Sequence, residues 1–188
     1  MVSLVVVFWT FVIVFGIIGA MRGWAKELLV TFSVILALFL ITLLDKYAGF
    51  IPNIVKPATP TITDEALAAL KYAFWIRVSI VGLLAYFGYQ TSILQRFIKS
   101  ERLIREHFQD LLLGLFLGLV NGFLIMGTIL FYLNETNYLI STLVTAPQGD
   151  AAIAMERLWT FLPPNLLGEP SIYFAVGVSF VFVLVVFI

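Results

Sequence analysis

The side chains that could do chemistry are few and scattered along the chain. His107 is the only histidine and there is no cysteine, so thiolate metal sites and disulfides are excluded. The sequence has no Ser-centred nucleophile elbow, no phosphate-binding Gly-Lys-Ser/Thr loop and no histidine pair at helical spacing. We therefore predict no catalytic residue, no cofactor site and no metal site, and we expect that the chain is not an enzyme.

Two polar residues, Arg77 and Asn121, fall inside long apolar stretches. A charge in such a position usually faces a bundle interior or an aqueous cavity. We expect Arg77 to snorkel or to pair with Asp45 or Glu135, in preference to a transport role. Every Asp and Glu lies at an end of an apolar stretch or in a loop, which argues against a coupled transporter with a carboxylate at membrane depth.

The composition indicates that lipid is the solvent for much of the protein. Of 188 residues, 62% are hydrophobic and 12% are charged, about half the charge of a soluble domain. The formal net charge is zero, and no basic excess predicts a nucleic-acid partner. The first apolar run has no basic segment before it, so it is not expected to be a signal peptide.

Five apolar stretches approach the ~20 residues that a membrane-spanning helix needs. They are Val2–Ala20, Leu28–Leu44, Ala68–Tyr89, Leu111–Leu133 and Ser171–Ile188. The predicted fold class is an all-α integral membrane protein, a polytopic bundle of four to five transmembrane helices. We divide it into a four-span domain (1–133), an extracytoplasmic loop (134–170) and a fifth span (171–188).

Two features of these segments leave alternatives open. Within the loop, Met155, Leu158, Trp159 and Leu162 share one helical face, so this segment either lies flat in the headgroup layer or packs as an ordinary short helix. The third helix is expected to begin before its apolar stretch, because Thr61-Ile62-Thr63-Asp64 resembles a helix-start pattern.

The distribution of cations predicts the orientation. Two short connections carry most of them, namely Arg22 and Lys26 in the first, and Arg96, Lys99, Arg102 and Arg105 in the second. Cations in short loops mark the cytoplasmic side. We predict a multi-pass protein of the bacterial inner membrane with its N-terminus outside.

Small residues at helical spacing indicate close helix packing. Gly114, Gly118 and Gly122 recur every four residues with Asn121 on the same side, and Gly19 and Gly23 have the same spacing. Lipid gives helices no hydrophobic reason to associate, so packing at small residues supplies the attraction. The expected partners are therefore the lipid bilayer and, through these glycine-rich faces, other integral membrane proteins or a second copy.

Two stretches resemble the colicin V production (CvpA) family of bacterial inner-membrane proteins. The first joins the first two predicted spans and contributes Gly19, Arg22, Gly23, Lys26 and Glu27; the second opens the fourth span and contributes Asp110, Gly114, Gly118 and Gly122. The order and spacing fit over Met1 to about Leu133. The family usually has Arg where this chain has Leu112 and Asn121.

The resemblance implies a role in colicin V production or export and in envelope homeostasis, with no catalytic residue to carry over. The motif residues also have a physical interpretation. Gly23 permits a tight turn, and Arg22 and Lys26 suit an anionic leaflet. Glu27 is expected to cap the second span, with Asp110 in the same position on the fourth. A functional Arg22–Glu27 or Arg22–Asp110 pair is the less favoured alternative to this physical interpretation. For the protein as a whole, the less favoured alternatives are a subunit of a larger complex and a channel or transporter lined by Arg77 and Asn121.

Overall fold

A computed structural model describes residues 3–48, 64–90, 104–138 and 146–187. The described residues form seven α-helices and contain no strand. The helices are α1 (Leu4–Arg22), α2 (Trp24–Leu43), α3 (Asp64–Gln90), α4 (Ile104–Glu135), α5 (Asp150–Trp159), α6 (Pro163–Leu166) and α7 (Ser171–Phe187). A π-helical turn, Leu44–Ala48, extends α2. The start of α3 at Asp64 confirms that this helix begins before its apolar stretch.

A single residue, Gly23, separates α1 from α2. Its φ of 87° lies in the region that L side chains avoid, and its N–H closes α1 by donating to the Gly19 carbonyl (3.0 Å). We call the end of the bundle that holds this turn the turn end and the opposite end the far end. The tight turn reverses the chain direction between α1 and α2, and α4 packs against both helices.

The closest helix contact joins α1 and α4 along their glycines. A Cβ added at Gly19 would lie 2.7 Å from the Gly118 Cα, and one at Gly122 would lie 2.7 Å from the Phe15 Cβ. Along this contact, increasing residue numbers in α1 are paired with decreasing residue numbers in α4. The two helices are therefore antiparallel. The predicted packing role of these glycines is confirmed, and it is fulfilled inside one chain. The faces proposed for partner binding are therefore occupied by α1 and α4 themselves.

A core of small and branched side chains joins α2, α3 and α4. Val30, Val34, Ala37 and Val81 are fully buried in it. A second close approach, which the spacing analysis missed, lies at Gly88 of α3, where an added Cβ would be 3.0 Å from the Val30 Cα. The third helix is thereby held along α2.

The segment that follows α4 packs into the far end of the bundle. Met155 and Leu162 are buried there, and the Trp159 ring stacks on Phe131 with centroids 4.4 Å apart. Pro163, the first residue of α6, sits against Gly127 of α4. The structure shows this segment as a short helix packed against the bundle, and its position relative to the headgroup layer stays a prediction.

Four helices are long and apolar enough to cross a membrane, and they match the first four predicted spans. They are Leu4–Arg22, Trp24–Tyr47, Leu67–Gln90 and His107–Glu135. The helical segments Asp150–Leu166 and Ser171–Phe182 pass the same test only as a pair bent by 56°. This pair is a fifth span if it crosses as one broken helix, and it is no span if it forms a re-entrant loop. The fifth span therefore stays a prediction.

Candidate functional site: two polar clusters

The turn-end cluster is built around the carboxylate of Glu27, which is completely buried. Arg22 Nη1 donates to Glu27 Oε1 over 2.7 Å, and Asn121 Nδ2 donates to Glu27 Oε2 over 2.8 Å. The Asn121 amide also donates to the Glu27 backbone carbonyl (2.9 Å) and accepts from the Thr31 hydroxyl (2.7 Å). Charge and hydrogen-bonding capacity are thus matched within the cluster, as burial of a charge requires.

Arg22 and Tyr89 extend this cluster to α3. Arg22 Nη2 donates to the Tyr89 backbone carbonyl over 2.8 Å, and the guanidinium lies 4.3 Å from the Tyr89 ring centroid. The Tyr89 hydroxyl lies 3.5 Å from Glu27 Oε2. Four helices therefore meet at one ion pair, which makes Arg22–Glu27 a structural centre of the bundle. A functional role for this pair, the less favoured alternative from the sequence, stays a prediction.

The structure corrects the predicted roles of the two acidic motif residues. Asp110 Oδ1 accepts from the backbone N–H of Trp24, the first residue of α2, over 3.0 Å. This N–H has no partner inside its own helix, so a carboxylate there satisfies it and suits the positive helix end. Asp110 of α4 therefore caps α2, whereas the Glu27 side chain turns into the bundle. Lys26 is half-buried beside it on α2.

The position of Glu27 also corrects the argument from missing intramembrane carboxylates. Glu27 is the fourth residue of α2, as its place at a span end implied. Its side chain nevertheless meets Asn121, the middle residue of the His107–Glu135 span. The described helices are staggered, so the end of one lies beside the middle of another.

The far-end cluster centres on Arg77, which is 7% exposed. Its Nη1 donates to Glu135 Oε2 over 3.1 Å, and its Nη2 lies 3.2 Å from both Asp45 carboxylate oxygens. The guanidinium also lies 4.8 Å from the Tyr132 ring centroid. The expected pairing of Arg77 with Asp45 or Glu135 is confirmed, and the structure joins it to both.

A second ion pair borders the far-end cluster. Lys46 Nζ lies 2.8 Å and 3.0 Å from the two Glu169 carboxylate oxygens. Glu169 also accepts from the Tyr173 hydroxyl over 2.5 Å. Through Lys46, the connection before α7 is held against the end of α2. Lys46 and Glu169 are 123 positions apart, and no spacing rule connects them.

The two intramembrane polar residues named from the sequence belong to different clusters. Asn121 lies 14 positions before Glu135 on α4, or ~21 Å along a helix. The two residues therefore lie at different heights of the bundle, and a path lined by both stays a prediction. In the described parts of the chain, no three His, Asp or Glu side chains come together as a group that could hold a metal ion.

Fold and clusters define the class: an all-α, multi-pass membrane protein whose spans are held by glycine contacts and by two polar clusters. A family model described as "Colicin V production protein" matches residues 4–145, three quarters of the chain and all four candidate spans. The chain belongs to the colicin V production family, as its motifs indicated. Comparisons with curated proteins and with solved structures found no match.

Proposed function

We propose that this protein is a non-enzymatic component of the bacterial inner membrane, with its N-terminus outside, that serves toxin production or export and envelope homeostasis. The observation that carries the proposal is the family match, which extends through the four candidate spans. The family's association with colicin V production supplies the physiological context.

The engagement of the ionisable side chains supports a role without covalent chemistry. Glu27 is held by Arg22 and Asn121, and Arg77 is held by two carboxylates. Groups engaged in ion pairs of this kind stabilise an arrangement of helices and are poorly placed to attack a substrate. The protein would then act through physical contact, with the lipid bilayer and with other integral membrane proteins or a second copy.

The test is complementation of a deletion strain, with toxin release and the barrier function of the envelope as the two readouts. The wild-type gene is expected to restore both. Gly118→Ala, which forces a methyl group to 2.9 Å from the Gly19 Cα, is expected to restore them poorly. Gly82→Ala is the matched control, because a Cβ there meets nothing within 4 Å.

Two outcomes of this experiment would oppose the proposal. A deletion strain that releases toxin and excludes dyes like its parent would remove the physiological role. Equal complementation by Gly118→Ala and Gly82→Ala, at equal protein levels, would show that the α1–α4 arrangement is not needed for the function.

Coupled transport is a second candidate, and the burial of Glu27 favours it. A carboxylate beside the middle of a span is a usual element of proton or cation coupling. In liposomes with an imposed proton gradient, Glu27→Gln is expected to abolish flux while the control Glu156→Gln, at an exposed position of α5, preserves it. Absence of flux in wild-type liposomes would eliminate this candidate and leave the first one standing.

A further inference from the structure

The chain from α5 to α7 enters the far end of the bundle and comes out again. Glu156 of α5 lines a groove together with Glu135, the last residue of α4, so this part of α5 is level with the end of that helix. Glu169, after α6, is paired with Lys46 in the π-helical turn that ends α2. Both charged flanks therefore lie at the helix ends, and Pro163 lies between them at the tip.

The contacts of the tip show how far it reaches into the bundle. An added Cβ at Gly127 of α4 would lie 2.6 Å from Pro163 Cδ, so these two residues are in direct contact. Gly127 lies eight positions before Glu135, or ~12 Å along α4. The adjacent Leu162 is completely buried in a cluster that includes Val12, eight positions after the first residue of α1. Two helices therefore give the same depth for the tip.

A depth of ~12 Å is greater than the thickness of a headgroup layer. The span His107–Glu135 has 29 residues and is therefore ~43 Å long, which matches a bilayer with its headgroups. The hydrocarbon core takes ~30 Å of this length, so ~6 Å at each end lies among headgroups. Pro163 then lies ~6 Å inside the hydrocarbon. Trp159 stacks on Phe131, ~6 Å from the end of α4, which is the boundary where tryptophan is enriched.

The residues at this depth carry no charge. The segment Leu158–Gly168 is uncharged throughout, and the charged residues Arg157 and Glu169 flank it directly. A charge in hydrocarbon is costly, so this pattern suits a segment that is inserted between two charged ends. On the side away from the bundle, Phe161 is 60% exposed and Leu166 is 50% exposed. Large apolar side chains on an outer surface at this depth match the acyl chains of lipids.

The backbone at the tip satisfies its own hydrogen-bond donors. Every backbone N–H from position 161 to position 167 donates to a carbonyl of the same segment, namely those of Phe161, Leu162, Asn165, Leu166 and Leu167. Pro163 and Pro164 have no N–H. The Asn165 side chain also donates to the Trp159 carbonyl over 2.7 Å. A chain reversal in hydrocarbon is tolerated only if its polar backbone groups are paired, and this reversal meets that condition for its donors.

We propose that Leu158–Gly168 is a re-entrant loop inserted into the leaflet at the far end, and that lipid acyl chains cover Phe161 and Leu166. The side of the loop that faces the bundle is filled by α1 and α4, which leaves the bilayer to cover the other side. Helices α5 and α6 are then the two arms of this loop and do not cross the membrane. The inference is independent of the proposed role in toxin production and envelope homeostasis.

Single thiols in this cysteine-free chain test the insertion. Phe161→Cys and Leu166→Cys are compared in purified full-length protein in nanodiscs, which expose both membrane faces, so the result does not depend on orientation. Ile13→Cys, 56% exposed on α1 at a similar depth, is the control for lipid, and Glu156→Cys is the control for water. Both loop variants are at exposed positions, and having two keeps the test valid if one fails to fold.

A water-soluble maleimide is expected to react about tenfold more slowly with Phe161→Cys and Leu166→Cys than with Glu156→Cys, because it needs a thiolate, which hydrocarbon disfavours. The rate of the loop variants should match that of Ile13→Cys. Reaction of the loop variants as fast as that of Glu156→Cys would overturn the insertion.

A second measurement identifies what covers the loop. The same four variants are labelled with a bimane fluorophore in detergent and then placed in nanodiscs of lipids that are brominated on their acyl chains. Bromine should quench the label at Phe161→Cys and Leu166→Cys as strongly as at Ile13→Cys, and more strongly than at Glu156→Cys. Slow maleimide reaction without this quenching would mean that protein, such as a second copy, covers the loop, and it would overturn the assignment to lipid.

Discussion

Replacing Gly19 by alanine tests whether the α1–α4 contact holds the bundle together. The added Cβ would lie 2.7 Å from the Gly118 Cα and closer still to the Gly114 carbonyl oxygen, whereas ordinary contact begins at 3.4 Å. The obstacles are backbone atoms, which cannot rotate away as a side chain can. The helices must therefore separate by about 0.7 Å on the Gly118 side alone.

The expected cost follows from this overlap. Overpacking of a well-filled interior typically costs ~1–3 kcal/mol, and the rigid neighbours at Gly19 place this substitution in the upper half of that range. Glycine to alanine in an unobstructed helix is neutral or mildly stabilising, because alanine is the better helix former. The free energy of unfolding is therefore expected to fall by ~2–3 kcal/mol in Gly19→Ala relative to the control Gly82→Ala.

The measurement is reversible unfolding of the purified variants in mixed micelles, followed by tryptophan fluorescence and circular dichroism. A double variant, Gly19→Ala with Gly118→Ala, provides a second criterion. Once the first methyl group has separated the helices, the second should cost less than it does alone, so the two losses should not add. Equal stabilities of Gly19→Ala and Gly82→Ala would refute the assignment of the closest contact to these glycines.

Three further experiments address the turn-end cluster, the packed segment and the orientation. Asn121→Leu removes the amide that donates to Glu27 and is expected to lower the free energy of unfolding by ~1–3 kcal/mol in the same titration; wild-type stability would contradict the cluster's structural role. Leu162→Ala truncates a fully buried side chain and should lower the free energy of unfolding by ~2–5 kcal/mol. The control Leu166→Ala, at a half-exposed position, should change it very little. Comparable losses in the two variants would argue against the packing of this segment. His107→Cys and Glu156→Cys each introduce a single thiol into a cysteine-free chain. An impermeant maleimide should label Glu156→Cys in intact spheroplasts and His107→Cys only after lysis. The reverse labelling pattern would invert the predicted orientation.

The four spans and the main helix contact could be predicted from the sequence because both depend on local properties. Apolar run length determines which segments can cross a bilayer, and the observed spans begin and end within about four residues of the predicted bounds. Glycine at every fourth position places small residues on one face, which is the information that α1 and α4 need to approach closely. Arg77 was paired correctly because Asp45 and Glu135 were predicted at the same side of the membrane.

The carboxylate of Glu27 was misjudged because depth was counted along its own helix. That count places Glu27 at the edge of a span, whereas the stagger of α2 against α4 sets it beside Asn121, midway along its span. Stagger is a property of the packed bundle and has no signal in a single apolar run. The same stagger brings Arg77, at the middle of α3, to the ends of α2 and α4.

Helix α4 is the element on which both polar clusters depend. Asn121 fixes its middle to the start of α2, and Glu135 fixes its end to Arg77 of α3. Glycine contacts bring α1 and α4 together but specify their axial register weakly, because a glycine ridge can slide by one turn and meet the next glycine. The polar contacts of α4 do not tolerate such a slide, because it would remove the Asn121 amide from the buried Glu27 carboxylate and the Glu135 carboxylate from Arg77. The glycines therefore determine which helices touch, and the two clusters determine at what height they do so.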